Sequence, residues 1–411
     1  MCRCFGYISK FDNGLCNFVA MTYPILHIRK GKEQSLMRRH PWVFSGAIES
    51  TTESLKDGDI VSLMTRKDQF LGLGHFQHAT ISVRILSFDY EVIDQSFFDK
   101  KIKKAVDSRL NIGLFTKQNN IFRICHGEGD ELPGLVIDFY NGVAVIQCHS
   151  IGMYFSVELI ANALKNAFGK KLTAVYSKST DTLPKRTDVS DAYLYGSCEM
   201  PHLALENGVK YNIDWLTGQK TGFFIDQRVN RRILGEYSKG KKVLNTFCYS
   251  GGFSLQALNH GATLVHSLDS SKKAIALTDD NITLNNYSEK HMSICADAMD
   301  YMKDLKEDYD IIVLDPPAFA KHREKRHQAI QGYKRLNAHA IRQIKPGGII
   351  FTFSCSQVID KALFTNTIIA AAIESGRNVR ILEQIHQPAD HPIHAFHPEG
   401  EYLKGLIIQV D

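Results

Sequence analysis

Three short segments of this 411-residue chain carry residue types that could do chemistry. Phe353-Ser354-Cys355-Ser356 places a thiol one residue beyond the apolar run GGIIFTF. Asp315-Pro316-Pro317-Ala318-Phe319 follows the apolar run DIIVL. Its two prolines stiffen the exit and remove two backbone donors where Asp315 would face a cleft. Phe319 there could stack on a planar base. Asn245-Thr246-Phe247-Cys248-Tyr249-Ser250-Gly251-Gly252-Phe253 lies between a buried run and a helical pattern. Glycines let backbone approach a ligand, and a helix N-terminus favours an anionic group such as a carboxylate. Asp269 and Asp297 end the next two strand-like runs, placed to accept from ribose hydroxyls and to meet an adenine amino group.

A glycine pair alone is a turn signal. Dinucleotide binding asks for G-x-G-x-x-G, and this loop supplies only Gly251 and Gly252. A nucleoside without a pyrophosphate needs fewer glycines, which favours S-adenosylmethionine over NAD. A thiol, a carboxyl and a sulfonium together address an unreactive ring carbon. Carbon 5 of a pyrimidine becomes nucleophilic when a thiolate adds at carbon 6, and Asp315 could hold the polar edge of the base. The base that then removes the carbon 5 proton is not identifiable from the residues. Cys248 is a rival nucleophile, placed in a loop that the cofactor should occupy. No metal is expected, because the sulfonium is already activated. The histidines 391, 394 and 397 lie among prolines and read as a rigid turn.

These residues need elements to position them. From about residue 220 onward, apolar strand-sized runs alternate with helical patterns, which predicts an α/β fold with a mostly parallel sheet covered on both faces. Ligands of such sheets sit outside the carboxyl ends of the strands, where all three segments fall. Residues 93–215 read as a central α+β unit, with hairpin signals at Asn141-Gly142 and Asn207-Gly208. Residues 23–92 read as short β runs forming a small barrel, with Lys30, Arg38 and Arg39 near its rim. Residues 1–22 read as a tail, disordered or a non-native extension. The α/β unit spans 216–411.

The bulk composition is that of a globular protein: 44% hydrophobic, 23% charged, formal net charge +5. No apolar run reaches membrane-spanning length, so no membrane is expected as partner. Nine cysteines at irregular spacing do not form a disulfide framework, which points to a reducing, cytoplasmic location. Cys2-x-Cys4 lacks a second ligand pair for zinc. Two basic groups, Lys321/Arg323/Lys325/Arg326 and Arg228/Arg231/Arg232, read equally as phosphate contacts or as solvated helix faces.

With these residues in hand, the chain resembles the bacterial large-subunit (23S) ribosomal RNA cytosine-C5 methyltransferases that carry an N-terminal PUA domain. The resemblance runs from about residue 23 to 411, through RKGKEQSLMRRHPWVFSGAIES, RICHGEGDELPGLVIDFYNG, QKTGFFIDQR, NTFCYSGGFS, DPPAFAK, GYKRLN, FTFSCS and HPEGEYLKG in order. It implies a Rossmann-like class I methyltransferase domain preceded by a β-barrel PUA domain and a central α+β domain. It implies S-adenosyl-L-methionine as cofactor, bound by Phe247, Tyr249, Ser250, Gly251, Asp269, Ser270, Asp297, Ala298, Asp315 and Gln227. Cys355 would be the nucleophile, with Asp315 beside it, and Pro316, Pro317, Phe319, Lys321, Arg38 and Arg39 would meet the RNA. Gln219, Lys220, Phe224, Asp226 and Arg228 match a block expected to close over the methionine moiety. Asn245 stands where many methyltransferases have an acidic residue, so a salt bridge to the cofactor's ammonium is not assigned there. The partner implied is 23S ribosomal RNA, free or partly assembled, and a homodimer is compatible. Two other readings stay open: methylation of guanine N7 or an exocyclic amine, which needs no cysteine, and a non-catalytic RNA-binding assembly factor.

Overall fold

The computed structural model describes residues 23–49, 54–185, 187–305, 307–320 and 322–411. The expected tail, the Cys2-x-Cys4 pair and Lys321 lie outside the described residues. Strands from residue 242 onward pair as one seven-stranded sheet: β1 (Lys242–Thr246), β2 (Leu264–Asp269), β3 (His291–Cys295), β4 (Ile311–Leu314), β5 (Gly348–Ser354), β6 (Val379–His386) and β7 (Lys404–Val410). Their spatial order is β3-β2-β1-β4-β5-β7-β6. Neighbours run parallel except β7, which is antiparallel to both β5 and β6. The order reverses between β1 and β4, which opens the crevice that ligands of such sheets use.

Alternate residues of each strand enter two separate cores, as the period of two requires. Val243, Ile311, Val313 and Phe351 enter one core with Leu234 of α1 (Arg228–Tyr237) and Phe253 and Leu255 of α2 (Gly252–Asn259). Leu244, Ile312, Leu314 and Ile350 enter the other with helices Arg326–Gln343 and Lys361–Ser375, through Tyr333, Leu336, Phe364 and Ile368. The α/β expectation is met. Helix Lys361–Ser375, β6 and β7 were not read from the sequence, whose strand–helix alternation ended at β5.

The other two sheets precede this one. Strands Ile25–His27, Ile60–Met64, Phe70–Phe76, Ile81–Ser87 and Trp42–Phe44 form a five-stranded sheet in that order, the first pair parallel and the rest antiparallel. A short helix, Gln34–Met37, leads into Arg38 and Arg39. A second five-stranded sheet spans Ile121–His126 to Ala192–Tyr195, and helices Gln95–Asn111 and Val157–Phe168 bury Phe97, Ile102 and Leu164 in its core. Both predicted Asn-Gly turns occur, with φ of 42° and 96° at Asn141-Gly142 and 49° and 83° at Asn207-Gly208, as a two-residue hairpin of the primed type requires. The second hairpin, His202–Glu206 with Val209–Ile213, is shared: Ala204 and Tyr211 pack in one core with Val243 of the large sheet and Tyr140 of the middle one. Among the described residues no helix is long and apolar enough to cross a membrane.

Candidate active site

The loop after β1 turns sharply before α2. Phe247 (φ 55°), Tyr249 (φ 48°) and Gly251 (φ 74°) alternate in the left-handed region. A Cβ on Gly251 would meet Thr278 Cγ2 at 2.8 Å, so glycine is required there both for its backbone and for its lack of a side chain. The loop is tied down at every step. The Gly251 N–H donates to the Cys248 carbonyl (2.8 Å), Thr278 Oγ1 to the Tyr249 carbonyl (3.0 Å), and Asn281 Nδ2 to the Ser250 carbonyl (3.0 Å). Asp269, at the end of β2, accepts the Tyr249 N–H (3.1 Å) on one oxygen and the Ser271 N–H (2.9 Å) on the other. Two backbone donors thus orient its carboxylate, whose remaining lone pairs can accept ligand hydroxyls.

Asp297 is exposed and caps the single-turn helix Ala298–Tyr301, accepting the Asp300 N–H at 3.0 Å. Ser270 is exposed beside Asp269, and Ala298 is buried. Acids at two strand ends, a backbone close-approach point and no run of glycines for a diphosphate form a donor set that fits S-adenosylmethionine. Asn245 is turned away from this edge. It is buried between sheet and α2, where its Nδ2 donates to Ser254 Oγ (2.9 Å).

Asp315 leaves β4 into buried Pro316 and exposed Pro317. Burial and the neighbouring Asp226 carboxylate push the Asp315 carboxyl up to about 7, against a hydrogen bond from Gln227 and the charges of Arg231 and Lys220. Asp226 moves the other way. Burial raises it, but Lys220, His391 and the Tyr402 hydroxyl, which donates at 2.8 Å, together hold it below the usual carboxylate range. Two adjacent carboxyls pushed apart in this manner divide proton-holding from proton-accepting roles. Gln227 is buried and engaged with both Asp315 and Asn230, whose Nδ2 donates to its Oε1 at 2.6 Å. Phe319 lies over Gly332 and against Tyr333 (centroids 4.6 Å apart), so its ring is already packed.

Cys355 directly follows β5 and is partly exposed. Burial and the Asp315 charge push its thiol up to about 11, opposed by Lys220. Behind it stands Lys404, the first residue of β7, paired in register with Ser354. Lys404 is buried, and its Nζ donates to the Ser356 carbonyl at 2.7 Å. Burial pulls its ammonium down to about 8, against the favourable pull of Cys355. Cys248 is different: its sulfur is buried 3.5 Å from Thr278 Oγ1, and burial pushes it up to about 12. The cofactor loop, Asp269, Asp315 and Cys355 therefore share the carboxyl edge of one sheet.

Other expected contacts lie elsewhere. Arg38 and Arg39 are exposed on the N-terminal sheet, Arg39 over the Phe88 ring at 5.6 Å. Of the basic group on α1, Arg228 is buried against Asp390 (2.6 and 2.9 Å) and Arg231 against Glu206 (2.7 and 2.6 Å), while exposed Arg232 pairs with Glu236. Arg228 and Arg231 hold the fold and do not face phosphates. Tyr402 and Lys404 carry no expected role, although both adjoin the site. A lysine inside the mostly apolar run LKGLIIQV was the available signal for the second.

A glycine loop, a carboxylate oriented toward it and an Asp-Pro-Pro exit at the switch point of this strand order define a class I methyltransferase. Residues 130–406 match the family model of S-adenosylmethionine-dependent methyltransferases, and residues 26–88 match a PUA-like domain. The protein named Ribosomal RNA large subunit methyltransferase I from Aeromonas hydrophila is 37% identical, over 93% of this chain and 98% of its own length. The protein of the same name from Klebsiella pneumoniae is 35% identical over 94% and 98%. A methyltransferase candidate solved in complex with SAH superposes with a TM-score of 0.81 at 24% identity, over 95% of this chain and 100% of its own. The chain belongs to the S-adenosylmethionine-dependent methyltransferases, in the family of the large subunit ribosomal RNA methyltransferases I.

Proposed function

We propose that this protein methylates carbon 5 of a cytosine in 23S ribosomal RNA, in the cytoplasm, with Cys355 as covalent nucleophile. The observation that carries the reading is the partly exposed Cys355 thiol at the end of β5, beside the Asp315 carboxyl and backed by the buried Lys404 ammonium. The name of its relatives, large subunit ribosomal RNA methyltransferase I, supplies the substrate class. A methyltransferase acting on nitrogen needs no thiol there.

When bound, S-adenosylmethionine supplies an electrophilic methyl group on a sulfonium sulfur. The chain's own residues make the base receptive. Asp315, poised near neutrality, takes the thiol proton and passes it to N3 of the cytosine while the Cys355 sulfur bonds to carbon 6. The electron pair displaced from the carbon 5–carbon 6 double bond makes carbon 5 the nucleophile. After methylation carbon 5 loses its proton, the carbon–sulfur bond breaks, and N3 returns its proton to Asp315. Asp226, the ionised neighbour, is the carboxylate offered for the carbon 5 proton. Lys404 favours the thiolate electrostatically and fixes the Cys355-Ser356 turn. The side chains of Gly251's loop and Asp269 hold the methionine tail and the ribose.

The test is a ribosomal RNA fragment carrying 5-fluorocytosine at the target position. Fluorine cannot leave as a proton does, so the adduct should survive denaturing electrophoresis and map to Cys355. Cys355→Ala should fold, bind S-adenosylmethionine and transfer no methyl group. Near wild-type turnover by that variant, or an adduct on Cys248, refutes the assignment.

A further inference from the structure

A second cluster of chemically capable side chains lies between the N-terminal sheet and the segment that precedes β7. His40 stands in the turn between the helix Gln34–Met37 and the strand Trp42–Phe44, next to Pro41. His397 precedes the single turn Pro398–Gly400, which contains Glu399. One ligand atom from each of His40, His397 and Glu399 lies within 4.8 Å of the other two. Glu399 Oε2 is 3.5 Å from His40 Nε2 and 3.9 Å from His397 Nε2. These separations are at or beyond the limit of a good hydrogen bond, yet close to the spacing of ligands around one small ion.

His397 provides an independent sign. It is 3% exposed, and neither ring nitrogen has a hydrogen-bond partner. Leaving a buried imidazole with nothing to bind is costly, and such groups normally have a partner. Its ring is held in place by Trp42, edge-on at 4.4 Å, whose indole N–H donates to Glu128 Oε1 at 2.7 Å. His40 is oriented as well. Its Nδ1 lies against the Trp42 backbone, 3.2 Å from the nitrogen and 3.4 Å from the oxygen, which leaves Nε2 for the cluster.

We propose that His40, His397 and Glu399 bind a zinc ion that clamps the PUA-like domain to the segment carrying Tyr402 and Lys404. Two imidazoles and one carboxylate, with a fourth position left for water, suit zinc and its transition-metal neighbours. Magnesium and calcium prefer oxygen ligands throughout and are poorly served. Glu399 is exposed and free to swing inward, so the shift needed falls on a surface side chain and not on the buried ring. The ion would join two ends of the chain that the sequence could not pair, because His391, His394 and His397 alone form a proline-braced turn. The clamp ends five residues before Lys404 and so ties the placement of an RNA-binding domain to the residues around Cys355.

The test uses full-length protein freed of metal with a chelator, carrying Cys2→Ser and Cys4→Ser to remove a competing thiol pair. Zinc chloride is titrated against a chromophoric chelator, and melting temperature is recorded with zinc and with magnesium. One zinc per chain should bind and raise the melting temperature, and magnesium should do neither. His397→Gln and His40→Gln should each weaken zinc binding by about tenfold or more and abolish the rise. If either variant fails to fold, exposed Glu399→Gln should weaken binding in the same way. Failure of the parent protein to bind zinc, or unchanged affinity in the folded variants, overturns the proposal.

Discussion

At Asp315 a carboxyl group is kept where its charge is disfavoured, and that has a measurable cost. An aspartate in the unfolded chain titrates near 3.8, and Asp315 in the folded chain near 7. Between these values the folded state binds the additional proton, so stability falls as pH rises through the window and levels off above it. Asp315→Asn carries no such loss. Its melting temperature relative to wild type should climb from pH 4 to pH 7 and then stay level, while methyl transfer falls at least about 100-fold. A constant difference across that range would mean that Asp315 titrates normally. At this scale the strand-end positions of Cys355, Asp315 and Asp269 were legible, because a mostly apolar run that had to be a strand leads into each. Asp226, Tyr402 and Lys404 acquire their importance from neighbours distant in sequence, such as the Asp226–Tyr402 hydrogen bond, and no local pattern marks such a pair.

The element that most constrains the site is the loop between β1 and α2. Its three left-handed residues are tolerable because the loop is fastened to Asp269, Thr278 and Asn281. An alanine at position 251 would need both a left-handed backbone and room that Thr278 occupies, a cost of about 1–3 kcal/mol. Gly251→Ala should therefore lower the melting temperature and weaken S-adenosylmethionine binding by about tenfold or more in isothermal titration. Unchanged affinity would place the cofactor away from this loop. The parallel strands were readable because β4 is buried throughout and β1 nearly so. β6 was not, since it is an edge strand exposed along most of its length, with a register shift between Ile381 and Glu383 that disrupts any alternation.

For the whole molecule the question is how RNA meets a site whose nearby arginines are largely engaged elsewhere. With Arg228 and Arg231 buried, the exposed cations of these groups are Arg38 and Arg39 of the PUA-like domain together with Arg232, Arg323, Lys325 and Arg326, and we propose Arg38 and Arg39 as phosphate contacts. Deleting residues 1–92 would be a poor probe, because Leu73 and Leu86 belong to the core under the middle sheet and their loss would uncover it. Arg38→Glu with Arg39→Glu is cleaner. The double variant should bind ribosomal RNA fragments more weakly, reduce the slope of log affinity against log salt by roughly 2, and leave S-adenosylmethionine affinity unchanged. An unaltered salt slope would place the RNA path on another face.

The insertion of β7 between β5 and β6 also has a meaning in time. The cofactor loop is built from β1, β2 and their connecting helix, which are close together along the chain. The strand that leads into Cys355 gains its second neighbour only after the chain has laid down β6 and doubled back. Contacts across longer chain separations form more slowly. During refolding, then, the loop after β1 should be in place before the surroundings of Cys355, the proposed nucleophile, are complete. Pulses of a thiol-alkylating reagent, read by peptide mapping, should find Cys248 closed early and Cys355 still at its unfolded reactivity. The two thiols should settle to native reactivity in that order, and simultaneous settling would show that the sheet assembles as one unit.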